Sequence, residues 1–403
     1  MNRFFANMLY NYNSERADCM DKVLIVTHVS GFVPQFEMSN VRILQKMGYE
    51  VHYASNFHNV HYGVDNHRLE GTGIVQHQVD FSRSPRGVRS NMRAYRQLKQ
   101  LFEEHRFAMV HCHTPVGGFW ARLVARKYRK EGTRVIYTAH GFHFYQGGPL
   151  RYWLFLFPVE RWLAHITDTL ITINEEDYRR AQKFCLAKRD GVRGNVYKIN
   201  GVGIDAKLFG TDRKGREDKR REFGIQEDSF LLVSVGELNR NKNHVLVIEA
   251  LGILKNPRIR YMICGEGPEK EALRERAEQL GIGSQVILAG FRQDIPDILV
   301  AADAMAFPSI REGLCVAAIE ALMSAGPLIA LENRSTREYM QDGVNGYVVK
   351  HNDAKEMAAA IDRMYRLPKE EYMSMKGNCR GSVERFTSEH VKRKMEEIYR
   401  ANL

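Results

Sequence analysis

Two successive series of short apolar runs alternate with helix-like stretches along this chain, and that double alternation limits what it can fold into. In the first series, strand-like runs occupy residues 23–28, 51–54, 109–113, 135–139, 169–173 and 196–199. Helical periodicity fills 36–47, 89–105, 119–130, 150–164 and 175–184. The second series places strands at 230–235, 260–264, 286–289, 304–307, 328–330 and 347–349, with helices at 245–254, 269–280, 315–324, 354–365 and 390–399. Alternation of this kind predicts parallel sheets covered by helices on both faces. A chain of 403 residues also exceeds one ordinary core. The expected fold is α/β, with two doubly wound, Rossmann-like domains facing an interdomain cleft. The charged stretch 207–222 lacks apolar periodicity and reads as the start of a linker.

Several classes are unfavoured. No run of 18 uncharged apolar residues is long enough to cross a bilayer. Residues 1–19 lack both the apolar core and the cleavage site of a signal peptide, and are expected to be a poorly ordered extension, from an upstream start codon. The six cysteines form no CxxC pair and no zinc spacing, which suits buried thiols in a reducing compartment. The turn after the first strand, Thr27-His28-Val29-Ser30-Gly31-Phe32-Val33-Pro34, is not a dinucleotide fingerprint, and no phosphate-binding Walker motif occurs. The net charge of +11 resides wholly in residues 1–200, which hold 28 Lys+Arg against 17 Asp+Glu. Such a surface suits nucleic acid, an anionic membrane or a phosphorylated substrate, or is simply solvated.

The richest segment is Arg311-Glu312-Gly313-Leu314-Cys315-Val316-Ala317-Ala318-Ile319-Glu320-Ala321, between a strand and a helix. It should place Glu312 on the turn and Glu320 about two turns into the helix. A helix N-terminus offers unpaired N–H donors to phosphate, and a carboxylate accepts from hydroxyls. Phosphate plus polyol points to a nucleotide sugar; the competing reading is an ordinary amphipathic surface helix. Three further strand-to-helix turns accompany it. Gly236-Glu237-Leu238-Asn239-Arg240-Asn241-Lys242 carries Arg240 and Lys242, charge-assisted donors for a diphosphate. Gly265-Glu266-Gly267-Pro268 suits close backbone approach, and Gly290-Phe291-Arg292 could read the edge of a base.

In these segments the chain resembles the retaining glycosyltransferases of family 4, of GT-B architecture, from Lys22 onward. The spacing of Glu312 and Glu320 is the most specific part, and the THVSGF, TAHGFHFY and VGELN segments resemble enzymes of bacterial capsule and exopolysaccharide assembly. The resemblance implies an N-terminal extension over 1–21, an acceptor-binding domain over 22–203, a nucleotide-sugar-binding domain over 204–385, and a C-terminal helix over 386–403 that crosses back to the first domain. It implies Glu320 on the ribose, Glu312 at the sugar, the amides of Gly313, Leu314 and Cys315 on phosphate or sugar oxygens, and Lys242 on the leaving diphosphate. Gly236, Asn239, Arg240, Gly265 and Phe291 would complete the donor site, with Gly31 and Phe32 across the cleft. Many relatives carry Arg where this chain has Glu237, which weakens the diphosphate site. His140 at the end of a strand would lie near the transferred sugar; a histidine held by loop backbone is the competing reading. His111 and His113 share one strand without further evident metal ligands, and no Asp-x-Asp occurs, so no metal and no cofactor beyond the UDP-sugar donor are expected.

The aromatic stretch 149–163 is too short to span a bilayer; it either lies in the membrane interface or packs as a core helix. The resulting expectation is a hexosyl- or N-acetylhexosaminyltransferase acting on a lipid-diphosphate-linked saccharide. It would be cytoplasmic and peripheral on an anionic membrane face, with no nucleic-acid partner. Its rivals are a non-hydrolysing UDP-sugar epimerase and a catalytically silent scaffold.

Overall fold

The computed structural model describes residues 21–60, 66–82, 87–210 and 215–403. The N-terminal extension of the sequence reading lies outside the described residues, as does part of the expected linker. The chain divides into two compact units: residues up to Val202 together with Lys392–Leu403, and Gly203–Val391.

The first unit holds β1 (Lys22–Val26), β2 (Glu50–Ser55), β3 (Val75–Gln78), β4 (Phe107–His113), β5 (Arg134–Ala139) and β6 (Thr169–Thr172). A small hairpin follows, β7 (Lys188–Arg189) with β8 (Val192–Arg193), and then β9 (Asn195–Lys198). The parallel sheet runs β3-β2-β1-β4-β5-β6-β9. The second unit holds β10 (Phe230–Val235), β11 (Ile259–Cys264), β12 (Val286–Gly290), β13 (Ala304–Phe307), β14 (Leu328–Leu331) and β15 (Gly346–Val349), in the order β12-β11-β10-β13-β14-β15. In each sheet the order reverses beside the first strand, between β1 and β4 and between β10 and β13. At such a reversal the crossover helices leave to opposite faces, so the loops at the strand carboxyl ends part and make a binding crevice.

Burial on both faces explains the unbroken apolar runs. Val23, Leu24, Ile25 and Val26 are fully buried, as are Leu231, Leu232 and Val233. Close packing also fixes glycines: a Cβ on Gly118, in the helix Pro115–Tyr128, would sit 2.5 Å from the Tyr137 ring of β5. On the same helix, buried Arg122 lies over that ring at 3.8 Å and makes a bidentate pair with Glu160 at 2.5 and 3.1 Å. This pair tethers the helix Leu150–Ala164 to the unit.

Several elements depart from the sequence reading, among them the unexpected helices Ile295–Ala301 and Lys369–Ser382. β3 (Val75–Gln78) was not expected, because its VQHQ sequence offers little apolar signal; parallel pairing with β2 forms it. The charged stretch taken for a linker contains the helix Arg216–Glu222. Arg220 is buried there, donating to the carbonyls of Gln226 at 2.9 Å and Ala301 at 3.1 Å, and Arg216 reaches the Ala301 carbonyl at 2.8 Å. Satisfied carbonyls rather than apolar residues thus hold this helix down. The unit boundaries fall at 202/203 and 391/392, and Tyr399 of the last helix (Ser388–Asn402) bonds His111 within the first unit at 2.8 Å.

Candidate active site

In the second unit, the loops leaving β10 and β13 meet at the reversal of strand order. Ile310 donates its N–H to the Asn241 carbonyl, and Asn241 Nδ2 donates to the Arg311 carbonyl, each at 2.9 Å. Asn243, held at φ 57°, donates to the Pro308 carbonyl at 3.2 Å. Between these clasps Lys242 Nζ donates to Glu312 Oε1 at 2.7 Å. Asn239 builds the turn rather than facing outward: its Oδ1 accepts from the Lys242 N–H at 3.0 Å. Gly236 takes a positive φ of 155°, and a Cβ there would also crowd the Lys242 side chain at 3.1 Å. Burial opposes the Lys242 ammonium, but Cys315, Glu312 and Glu237 around it prevail and raise its pKa. The Cys315 thiol is itself pushed up to about 12 by burial and stays protonated, so the carboxylates carry this effect.

The helix Val316–Met323 begins three residues after Gly313. Glu320 is its fifth residue, just over one turn in rather than two. Glu320 is half-buried, and desolvation of its carboxyl pushes the pKa up to about 7. Among the described residues it has no hydrogen-bond or ion-pair partner, and neither do the N–H groups of Leu314, Val316 and Ala317. The Cys315 N–H departs from expectation: it donates to Ser335 Oγ at 2.8 Å, which in turn lies 3.1 Å from the Tyr339 hydroxyl. That amide is committed to the fold. Arg334 Nε donates to the Glu312 carbonyl at 2.7 Å and braces the same turn.

The remaining expected donor-site residues fare unevenly. Gly265 and Gly267 serve backbone packing inside the protein, since Cβ atoms there would lie 1.9 Å from the Gly236 carbonyl oxygen and 2.4 Å from that of Leu238. Arg240 is 93% exposed, with Glu269 at 3.6 Å as its partner. Phe291 is exposed beside Gly290, whose carbonyl accepts from the Gly265 N–H at 2.7 Å.

In the first unit, the equivalent reversal gathers Glu37, His113 and His140. The loop after β1 passes Gly31 and Phe32 into a π-helical turn, Val33–Glu37, which ends on the buried Glu37. A Cβ on Gly117 would lie 3.1 Å from the Thr27 carbonyl carbon, so that glycine admits the loop. His113 Nδ1 lies 3.1 Å from His140 Nε2 and 3.5 Å from Glu37 Oε1. The Phe32 ring meets His140 edge-on at 4.9 Å. Burial pushes Glu37 up to about 8, against the pull of an Asn40 hydrogen bond. It also lowers His140 to about 4 and His113 well below the ordinary value. At neutral pH the acid is therefore protonated and both imidazoles are neutral. His111 bonds Tyr399 and Thr138, each at 2.8 Å, and takes a structural role. The sequence reading found His140 but missed Glu37 and its link through His113, because no local spacing joins positions 37, 113 and 140.

The helix Leu150–Ala164 is divided between two environments. Leu150, Leu154 and Phe155 are 70%, 61% and 69% exposed, and within the helix only Leu163 and Ala164 are buried. Its other side packs on the core through Tyr152, Trp153 and Phe157, the Phe144 ring lying 5.9 Å from Trp153 and 5.3 Å from Phe157, so core packing and an exposed apolar side are both present. A shallow depression lined by Phe157, Pro158, Arg161, Trp162 and His165 lies along it.

Residues 215–381 match the family described as "Glycosyl transferases group 1", and residues 40–192 match "Glycosyltransferase Family 4". The chain is 38% identical over 383 residues to EpsD of Bacillus subtilis (strain 168), whose name assigns it to the glycosyltransferases; this covers 94% of the chain and 96% of the relative. It is 26% identical over 302 residues to the UDP-Gal:alpha-D-GlcNAc-diphosphoundecaprenol alpha-1,3-galactosyltransferase of Escherichia coli, covering 73% and 75%. Among solved structures, Anabaena Alr3699/HepE in complex with UDP and glucose superposes with a TM-score of 0.75 at 17% identity, covering 95% of this chain and 100% of that one. WaaG, a glycosyltransferase of lipopolysaccharide biosynthesis, superposes at 0.69 and 16%, covering 94% and 99%. Two Rossmann-like units, two matching family models and a relative aligned almost end to end make this chain a member of the GT-B glycosyltransferases of family 4, of the exopolysaccharide type.

Proposed function

We propose that the protein transfers a hexosyl or N-acetylhexosaminyl group, with retention, from a UDP-sugar to a lipid-diphosphate-linked saccharide in surface-polysaccharide assembly. The observation that carries this reading is the Lys242–Glu312 pair at the strand-order reversal of the second unit, beside the unpartnered Glu320. Lys242 supplies positive charge to the leaving diphosphate. Glu312 accepts from sugar hydroxyls and Glu320 from those of the ribose. The N–H groups of Leu314, Val316 and Ala317 face phosphate oxygens, a role in which fixed dipoles stabilise charge as it develops. The named specificities of the Escherichia coli relative and the UDP bound by HepE support the donor and acceptor classes.

The chemistry needs no protein nucleophile. The bond from the anomeric carbon to the phosphate oxygen breaks, and the acceptor oxygen bonds the same face of that carbon. The departing diphosphate takes the acceptor's proton. His140, neutral at pH 7, hydrogen-bonds the transferred sugar, while His113 and Glu37 hold its ring. The reaction runs without a metal ion, the charge of Lys242 and the helix amides standing in its place. The exposed apolar face of Leu150–Ala164 seats the protein on an anionic leaflet, where its lipid-linked acceptor resides.

Purified protein incubated with labelled UDP-sugars and an undecaprenyl-diphosphate-linked saccharide, in the presence of a chelator, should yield an α-linked product from an α-donor. Inverted product would reject retention. An isomerised sugar formed from donor alone would mark an epimerase, and a folded protein that binds no nucleotide would be a scaffold.

A further inference from the structure

A second cluster of imidazoles lies at the opposite edge of the first sheet from His140, among the amino ends of its strands. His52 is the third residue of β2, His77 the third of β3, and His105 follows the helix Val88–Glu104 just before β4. Their rings pack together: His52 stacks on His77 at 5.0 Å and meets His105 edge-on at 4.9 Å. One nitrogen from each lies within 4.8 Å of the others. We propose that His52, His77 and His105 form a binding site for a divalent transition-metal ion such as Zn²⁺, separate from the transfer site.

The hydrogen bonds around the rings assign their lone pairs. Glu50 Oε1 lies 2.5 Å from His52 Nε2, and a carboxylate can only accept, so His52 carries its proton on Nε2. Its Nδ1 lone pair is thereby turned toward His77 Nε2, 2.8 Å away. A carboxylate behind a histidine that fixes its tautomer is the usual second layer of a metal centre. Nitrogen–metal bonds of about 2.0–2.1 Å put neighbouring ligand nitrogens roughly 3.4 Å apart, so His77 must retreat by about half an ångström. It must also move its proton from Nε2 to Nδ1, a tautomer change that releases no net proton. His52 is buried, and burial lowers the pKa of His52 and takes His77 down to about 4. Metal binds the neutral imidazole, the form that burial favours at both rings.

Lys22, the first residue of β1, sets Nζ 3.4 Å from His105 Nδ1. An ammonium only donates, so the His105 lone pair points at a positive charge already. Its positive charge beside the rings opposes a bound cation, which makes Lys22 a competitor for the site. The buried trio of Glu37, His113 and His140, which also brings three ligand atoms together, belongs to the candidate active site already described.

Chelator-treated full chain titrated with Zn²⁺ by calorimetry should bind one equivalent with micromolar affinity. His77→Asn and His105→Asn should each weaken binding at least tenfold, and Lys22→Ala should strengthen it severalfold. Zn²⁺ should raise the melting temperature of the parent and not of His77→Asn, whose near-ultraviolet circular dichroism confirms its fold. His140→Ala should bind as the parent does, and transfer by chelated His77→Asn should match chelated parent. Absence of the single site, unchanged affinity in His77→Asn and His105→Asn, or its loss in His140→Ala instead would overturn the assignment.

Discussion

Lys242 Nζ and Glu312 Oε1 are 70 residues apart in sequence and 2.7 Å apart in space. Their side chains are about a fifth or less exposed, and they join the two loops that flank the strand-order reversal of the second unit. Under the proposed function, the pairing couples a positive charge for the leaving diphosphate to the acid at the sugar. Each fixes the rotamer of the other, so the ammonium is held near one position while two of its N–H donors remain for phosphate oxygens.

Lys242→Ala should lower kcat/KM about a hundredfold or more, because the developing charge loses its nearest cation. It should also cost about 1–3 kcal/mol of stability by leaving Glu312 without its partner. Lys242→Arg should recover part of both. Steady-state kinetics and urea titration measure the two effects separately, and full turnover by the alanine variant would remove Lys242 from the mechanism.

Under the proposed function, Glu320 should give nucleotide binding a pH dependence. Its folded pKa is near 7, and only the carboxylate can accept from both ribose hydroxyls. Affinity for UDP should therefore rise as the pH increases from 6 to 8, and Glu320→Gln should flatten the profile while weakening binding at pH 8. Calorimetry across that range tests it.

Glu37 sets a stability trend of a defined sign. Unfolded it ionises near 4.5, and folded near 8. Between those values the folded chain keeps a proton that the unfolded chain has lost, so this contribution is intact below pH 4.5 and disappears as the pH rises toward 8. Linkage puts the full change on the order of 5 kcal/mol. Glu37→Gln keeps a neutral polar group there, so its stability relative to the parent should improve steadily over the same window. Chemical denaturation at pH 5, 6.5 and 8 reads the difference.

Ser335→Ala separates scaffolding from ligand binding at the helix start. It removes the acceptor of the buried Cys315 N–H and a partner of Tyr339. The loss should be about 1–2 kcal/mol. The affinity for UDP should change less than twofold. A large loss of affinity with stability intact would mean that the Cys315 amide serves the ligand after all.

The exposed helix makes a prediction about membranes. Leu154→Glu with Phe155→Glu should abolish sedimentation with vesicles containing anionic lipid and leave the melting temperature within a degree or two. Neither side chain packs in the core, and surface changes of this kind cost little. Undiminished sedimentation would move the docking surface elsewhere.

The sequence by itself determined the two α/β series, their strand and helix positions to within a few residues, and the candidates Lys242, Glu312, Glu320 and His140. Apolar runs buried on both sheet faces and polar strand-to-helix turns are local patterns, so periodicity and turn chemistry report them. It did not reveal β3, which depends on pairing with β2, the helices Ile295–Ala301 and Lys369–Ser382, or the helix Arg216–Glu222, which hangs on the Ala301 carbonyl and the Asp303 carboxylate. Only the tertiary structure decided that Cys315 spends its amide on Ser335, that Gly265 accommodates a neighbouring backbone, and that Glu37, His113 and His140 meet. It likewise turned the apolar face of Leu150–Ala164 outward and gathered His52, His77 and His105. These outcomes depend on which distant parts of the chain come within hydrogen-bonding distance, and parallel strands bring together residues whose separation along the chain carries no local signature.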